Sequence, residues 1–149
     1  MSLTVLLATD GSSVALAALR RGLLVLGAAD RIVVATVIEL THASDVAGTG
    51  MAGGLLSPEA AARHDAEARR EGEEVLRATC SSLGLDGAEL VVLDGSAGPV
   101  LCDLAAALPA DVIALGTRGH GGLRRAVLGS VSDHVVRNAP CPVVISSPE

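Results

Sequence analysis

Residues 111–136 read DVIALGTRGHGGLRRAVLGSVSDHVV, and this stretch decides the fold. It opens on an unbroken apolar run, Val112-Ile113-Ala114-Leu115, with none of the polar alternation of a half-exposed strand. Such a run marks a strand covered on both faces, as in a parallel sheet. The run stops at Gly116. Gly119 follows after two residues and Gly129 after nine more, with Ser130 opening a helix that ends near Asn138-Ala139-Pro140. Glycine lets the backbone take positive φ and lets a ligand come close. Amides exposed in a glycine-rich turn form an anion-binding concavity. A helix N-terminus adds unsatisfied N–H groups and the positive end of the helix dipole. Two such amide clusters suit a chain of phosphates better than a single anion. A bland alternative stands beside this one. Ser130 with Asp133 has the spacing of a capping box, which needs no ligand, and glycines at strand ends are ordinary turn residues.

The same alternation of strand and helix extends in both directions. Residues 3–8 form a short apolar run that ends at Thr9-Asp10-Gly11. Residues 12–26 carry Leu16, Leu19, Leu23 and Leu26 at helical spacing, and residues 32–38 are a second β-branched run. Ser57-Pro58-Glu59 is a helix start, with an N-cap serine, proline at the first helical position and an acid in the first turn. That helix is predicted to reach Leu83, with Gly84 as its stop. Residues 90–93 make a third strand. Pro99 opens a further helix with Val100, Leu104 and Leu108 along one stripe. Residues 111–115 are the fourth strand and 143–145 the fifth. The order β-α-β-α-β-α-β-α-β predicts one α/β domain over residues 1–149. It is a doubly wound, Rossmann-like fold with a five-stranded parallel sheet, order 3-2-1-4-5, and helices on both faces. Ligands in such sheets sit beyond the carboxyl ends of the strands at the switch point. That places Thr9-Asp10-Gly11 and the segment from Gly116 to Gly119 at the site.

Composition sets the outer bounds. Half of the 149 residues are hydrophobic and 19% are charged, enough apolar material for a sizeable core. Phe, Tyr and Trp are absent, so the core must be Val, Leu, Ile and Ala. With no ring for a base to stack on and a net charge of −6, nucleic acid is a poor partner. The longest greasy stretch, residues 14–29, is broken by Arg20 and Arg21, which argues against a membrane span. Residues 1–11 lack the basic start and long apolar core of a secretory signal. Cys80, Cys102 and Cys141 follow no motif spacing and read as reduced residues of a cytoplasmic protein. His42, His64, His120 and His134 form no metal-ligand pattern. The segment from Thr41 to Leu56, with Gly48, Gly50, Gly53 and Gly54, has no periodicity. It reads equally as a lid or as a loose insertion. The apolar strand Val143-Val144-Ile145 is an edge that invites pairing with a second copy, hence a homodimer.

These residues resemble the universal stress protein family over nearly the whole chain. The family's nucleotide motif, G-x2-G-x9-G-(S/T), is similar to Gly116, Gly119, Gly129 and Ser130 without a gap. Thr9-Asp10 followed by Gly11-Ser12 resembles the family's opening, Thr36-Val37-Ile38-Glu39 its second-strand ending, and Pro140-Cys141-Pro142-Val143-Val144 its closing strand. Thr36 departs from the pattern, standing where histidine is common. The resemblance implies an adenine nucleotide alpha hydrolase-like fold and an ATP site, with Mg²⁺ on the phosphates. Asp10 would lie by the ribose or the metal-phosphate end. Val37 would read the adenine edge with its backbone, and Ala8 and Thr9 would flank base and sugar. Leu115 and Gly116 would pack on sugar and base. Gly119, Gly129, Ser130, Val131 and Ser132 would hold the phosphates, mainly by backbone amides. The resemblance also implies a dimer through the last strand.

Individual side chains leave choices open. Asp10 at a strand's carboxyl end suits ribose or Mg²⁺, or it caps the first helix. Arg118, and less so Arg124 and Arg125, would neutralise phosphate, or they are solvated. The leading expectation is an ATP-binding stress-response module with slow or no turnover. Weak ATP hydrolysis or autophosphorylation, and a nucleotide-free dimerisation module, are the alternatives.

Overall fold

The computed structural model describes residues 2–42, 56–117 and 128–148. Arg118, Gly119, His120, Arg124, Arg125 and the four glycines of the middle segment lie outside the described residues. In chain order the elements are β1 (Thr4–Ala8), α1 (Ser13–Leu26), β2 (Arg31–Ile38), α2 (Pro58–Leu83), β3 (Glu89–Asp94), α3 (Ala97–Ala107), β4 (Val112–Gly116), α4 (Ser130–Asn138) and β5 (Val143–Ser146). The strands form one five-stranded sheet in the order β3-β2-β1-β4-β5. Every pairing is parallel, with Leu6 beside Val33 and Ile113, and Ala114 beside Val144. This is the doubly wound sheet that the alternation of apolar runs and helices predicts.

Strand periodicity divides the core in two. Leu6, Ala8, Val33, Ala35, Ile113 and Leu115 face one side and pack with Leu101, Ala105 and Val135 of α3 and α4. Val5, Leu7, Val34, Val112 and Ala114 face the other and pack with Leu19 of α1 and Leu76 of α2. Without aromatic rings, the sheet's central layer is filled by branched aliphatic chains, and Val5, Leu6, Leu7, Val33, Val34 and Ile113 are fully buried.

The helix ends follow local chemistry. Ser57 caps α2 by accepting from the Ala60 amide at 3.2 Å, with Pro58 and Glu59 behind it. Gly84 ends that helix at φ 66°, ψ 37°, the left-handed stop expected of it. Helix α3 starts two residues before Pro99, at Ala97. A proline anywhere in the first turn removes only an N–H that has no helical acceptor, so it does not define the first residue. The stripe of α3 also differs from expectation. Gly98, Leu101 and Ala105 are buried, while Val100, Leu104 and Leu108 are half-buried on its flank.

One buried group in the helical layer is unmatched. The Thr79 hydroxyl of α2 has no hydrogen-bond partner among the described residues, and the residue is 1% exposed. Thr79→Val keeps the shape and removes the unpaired group. It is expected to stabilise the chain by about 1–2 kcal/mol, read as a higher urea midpoint at unchanged m.

Candidate functional site

The carboxyl ends of β1, β2 and β4 lie side by side in the middle of the sheet. After β1 the chain turns sharply. The Gly11 amide donates to Thr9 Oγ1 at 3.0 Å and the Ser12 amide donates to Asp10 Oδ1 at 3.0 Å. Gly11 sits at φ 77°, and a Cβ there would stand 2.8 Å from Val75 Cγ1, so the turn requires glycine on both counts. The α1 cap is Ser12, whose Oγ accepts from the Ala15 amide at 3.1 Å. Asp10 is therefore not the helix cap; it braces the turn that delivers the cap.

At the end of β4 the two margins of the glycine-rich segment are tied together. The Thr117 amide donates to the Ser146 carbonyl and the Gly129 amide to the Thr117 carbonyl, each at 2.9 Å. The Ser132 hydroxyl, 2% exposed, faces the carbonyls of Thr117 at 3.1 Å and Gly129 at 3.0 Å. Two expectations change here. The Gly129 N–H is already used within the fold, and the Ser132 hydroxyl proton is directed at a carbonyl. Any contribution of Ser132 to an anion comes through its amide. The capping box does not form either: the N-cap of α4 is Gly129, and Asp133 pairs with Arg137 at 3.0 Å. A side chain one residue inside the helix is past the position from which it can cap, which is why Ser130 and Asp133 do not reciprocate.

What remains at this helix start is a set of donors. The first intrahelical bond is made by the Asp133 amide to the Gly129 carbonyl. The amides of Ser130, Val131 and Ser132 precede it and have no acceptor within the helix. They point out of the positive end of the α4 dipole. Beside them lies the hydroxyl of Thr117, shielded from solvent and without a partner among the described residues.

A cleft of about 450 Å³ opens next to these amides. Val37 and Glu39 at the end of β2 form one wall, and Ser130, Val131 and His134 of α4 form the other. Gly95 and Ser96, between β3 and α3, and the first three residues of α3, Ala97 to Pro99, complete the lining. Gly98 is glycine for a steric reason. A Cβ there would meet the His134 side chain at 2.6–2.8 Å. Of the residues singled out in the sequence, Val37, Ser130 and Val131 line this cleft. Ala8, Thr9 and Asp10 sit at the neighbouring end of β1, and Leu115 and Gly116 at the end of β4. Sequence reasoning missed Glu39, the residues from Gly95 to Pro99 and His134.

Two further features frame the site. The Thr41 amide donates to Asp65 Oδ1 of α2 at 2.8 Å, which fixes where the chain leaves β2. That bond, ahead of the nearby His64, holds the Asp65 carboxyl below its ordinary range. The anchor's contribution is present at neutral pH and is lost as pH falls through the depressed value. Burial pushes the thiols of Cys80, Cys102 and Cys141 above their ordinary value, the reverse of an activated nucleophile.

Comparison with known proteins follows this geometry. The model of the universal stress protein family matches residues 1–147. A universal stress protein of Methanocaldococcus jannaschii is 34% identical over 79 residues, covering 52% of this chain and 46% of the relative. One from Thermus aquaticus is 37% identical over 78 residues, covering 52% and 57%. The matches thus span about half the length of these curated relatives. Among solved structures, a universal stress protein in complex with cAMP aligns at TM-score 0.64 and 22% identity, over 99% of this chain and 98% of the other. A universal stress protein family member from Arabidopsis thaliana with AMP bound aligns at TM-score 0.57 and 18% identity, over 97% and 90%. At such identities these structures show the shared fold.

Proposed function

The chain belongs to the universal stress protein family, and from that premise we propose that it is a stress-response module that grips ATP, with Mg²⁺ on the phosphates, beside α4. The observation that carries this reading is the pairing of the Ser130–Ser132 amides, which have no acceptor within α4, with an adjoining cleft lined by Val37 and Val131. The amides supply phosphate donors. The cleft, lined by Val37 and Val131 together with polar residues, offers room beside them for a base. Structural neighbours described with cAMP, dAMP and AMP support adenine as the base.

In this reading the phosphates rest on the amides of Ser130, Val131 and Ser132, while Gly129 shapes the approach. Arg118 and Gly119 complete the phosphate side. The base lies against Val37, with Ala8, Thr9, Leu115 and Gly116 around base and sugar. The Asp10 carboxylate serves the ribose or the Mg²⁺ that accompanies the phosphates. Binding with slow or no turnover, in the cytoplasm, is the mode of action: occupancy of the site reports the nucleotide pool. The β5 edge, Val143-Val144-Ile145, pairs with the same strand of a second copy. Its position as the last strand of the sheet supports this.

Equilibrium dialysis against Mg-ATP tests the first step, and the absence of binding at millimolar nucleotide would overturn it. Native mass spectrometry of protein purified from cells reads the remainder in one spectrum. The expected species has twice the 14.8 kDa chain mass and carries adenine nucleotide.

A further inference from the structure

The start of α4 is held from two sides. On the strand side, the Thr117 carbonyl accepts from the Gly129 amide at 2.9 Å and from the Ser132 hydroxyl at 3.1 Å. On the helix side, α4 meets the first turn of α3 at Gly98, which is buried. A Cβ on Gly98 would stand 2.6 Å from His134 Cγ, 2.7 Å from its Cδ2 and 2.8 Å from its Cβ. Carbon atoms in contact sit about 3.5–4.0 Å apart. The His134 Cβ is fixed to the α4 backbone, so no rotamer of the ring clears that overlap. Room for a single methyl group requires the two helices to part by about 1 Å.

Gly98 does not take positive φ, so no left-handed turn calls for it. It precedes Pro99, and a side chain before proline is disfavoured in the helical region. That strain is local to α3. The contact with His134 reaches across to α4. His134 lies four residues after Ser130, roughly 6 Å along the axis. The nine residues of α4 form a rod of about two and a half turns. A shift at His134 therefore carries to the Ser130, Val131 and Ser132 amides. The Thr117 carbonyl stays at the end of β4, so the shift changes how the donors sit against the rest of the site.

Resting on the nucleotide reading above, we propose that Gly98 and His134 are positioning residues for the phosphate site. The notch at Gly98 and the ring of His134 set the spacing of α3 and α4, and through it the reach of the Ser130–Ser132 amides. Hydrogen bonds weaken steeply away from their ideal distance and angle. The contact thus acts on anion affinity from one helical turn away.

The test is calorimetric titration of the full chain with tripolyphosphate and with Mg-ATP, at a temperature where circular dichroism shows the variants folded. Tripolyphosphate has no base, so it reads the helix start without the cleft. Gly98→Ala is expected to weaken both ligands about tenfold. His134→Gly, which empties the contact from the α4 side, weakens both about threefold. The double variant Gly98→Ala/His134→Gly moves the bulk from one helix to the other. It keeps the local strain before Pro99 and removes the overlap. Its melting temperature therefore stays low while both affinities return to within about twofold of wild type. Gly72→Ala is the control. A Cβ there meets Ile38 Cγ2 and Val92 Cγ1 at 3.1 Å, on the α2 side of the sheet, and it lowers stability with both affinities unchanged.

Wild-type affinities in both single variants, or losses that add in the double variant, would overturn the proposal and leave the nucleotide reading intact. Where Gly98→Ala does not fold, His134→Gly and the double variant decide. Recovery in the double variant supports the proposal, and failure to recover or to fold overturns it. A wild type that binds tripolyphosphate but not Mg-ATP would overturn the nucleotide reading alone. One that binds neither would overturn both.

Discussion

Ser130→Pro is expected to preserve the fold and to weaken Mg-ATP binding by roughly 10- to 100-fold, the loss of one charge-assisted hydrogen bond. Ser130 is the first residue of α4, where a proline fits the helix and removes an N–H that has no helical acceptor. The preceding residue must then be extended, because proline excludes the α region before it. Gly129 already is, at φ −64° and ψ 162°. The substitution thus deletes an amide from the anion site with little backbone strain. Ser130→Ala is the matched control. It removes the hydroxyl and keeps the amide, so its effect is expected to be a few-fold at most if the backbone dominates. Calorimetric affinities of both variants, with circular dichroism and melting curves to verify folding, separate amide from hydroxyl. Equal affinities in Ser130→Pro and wild type would place the phosphates elsewhere.

The second large effect concerns stability. Leu76→Ala is expected to cost about 3–4 kcal/mol. Leu76 is fully buried and belongs to the cluster of Val5, Leu7, Leu19 and Val34. The loss joins the transfer free energy of the removed methyls to the cavity that remains. In many cores a neighbouring ring can swing partly into such a cavity. This chain has no aromatic residue, and β-branched neighbours have few rotamers with which to respond. Chemical denaturation should give the full difference at unchanged m, with the melting temperature down by roughly 10 °C. A loss below about 1 kcal/mol would show that the surrounding helices collapse onto the site instead.

Most of the fold is legible in the sequence because its strands are buried on both faces. Runs such as Leu6-Leu7-Ala8 and Val112-Ile113-Ala114-Leu115 have no solvent side to encode, so their type is plain. Their alternation with helices then restricts the topology to the observed order. Helix starts are legible where a side chain makes the cap, as at Ser57, and less so where the backbone does. At α3 the proline marks the first turn but not the first residue.

The candidate site is legible at the glycine-rich segment and not across the cleft from it. Gly116, Gly129 and Ser130 announce themselves by spacing. The passage from β3 into α3 carries the same pattern of strand, glycines and helix at Gly95 and Gly98, so it is readable by the same rule. Glu39 and His134 are not. Each is an ordinary polar residue next to an apolar one, and only the folded arrangement brings them to one cavity. The hydroxyl of Ser132 illustrates the converse. Its spacing places it at the helix start, while its rotamer, which sequence does not encode, turns it to the Thr117 and Gly129 carbonyls.

The two-sided core has a practical corollary for engineering. Strand parity sorts the sheet into a working layer and a supporting layer. Val37 lines the cleft and belongs with Val33, Ala35, Ile113 and Leu115, which pack towards α3 and α4. Val5, Leu7, Val34, Val112 and Ala114 pack against α1 and α2, on the opposite side from it. A repacking library confined to the second set can tune robustness without touching a cleft-lining side chain. A reporter meant to respond to ligand belongs on the α3 and α4 side, where the cleft walls could relay occupancy. The sheet then acts as a partition, insulating a durable chassis from a replaceable recognition surface within one short chain.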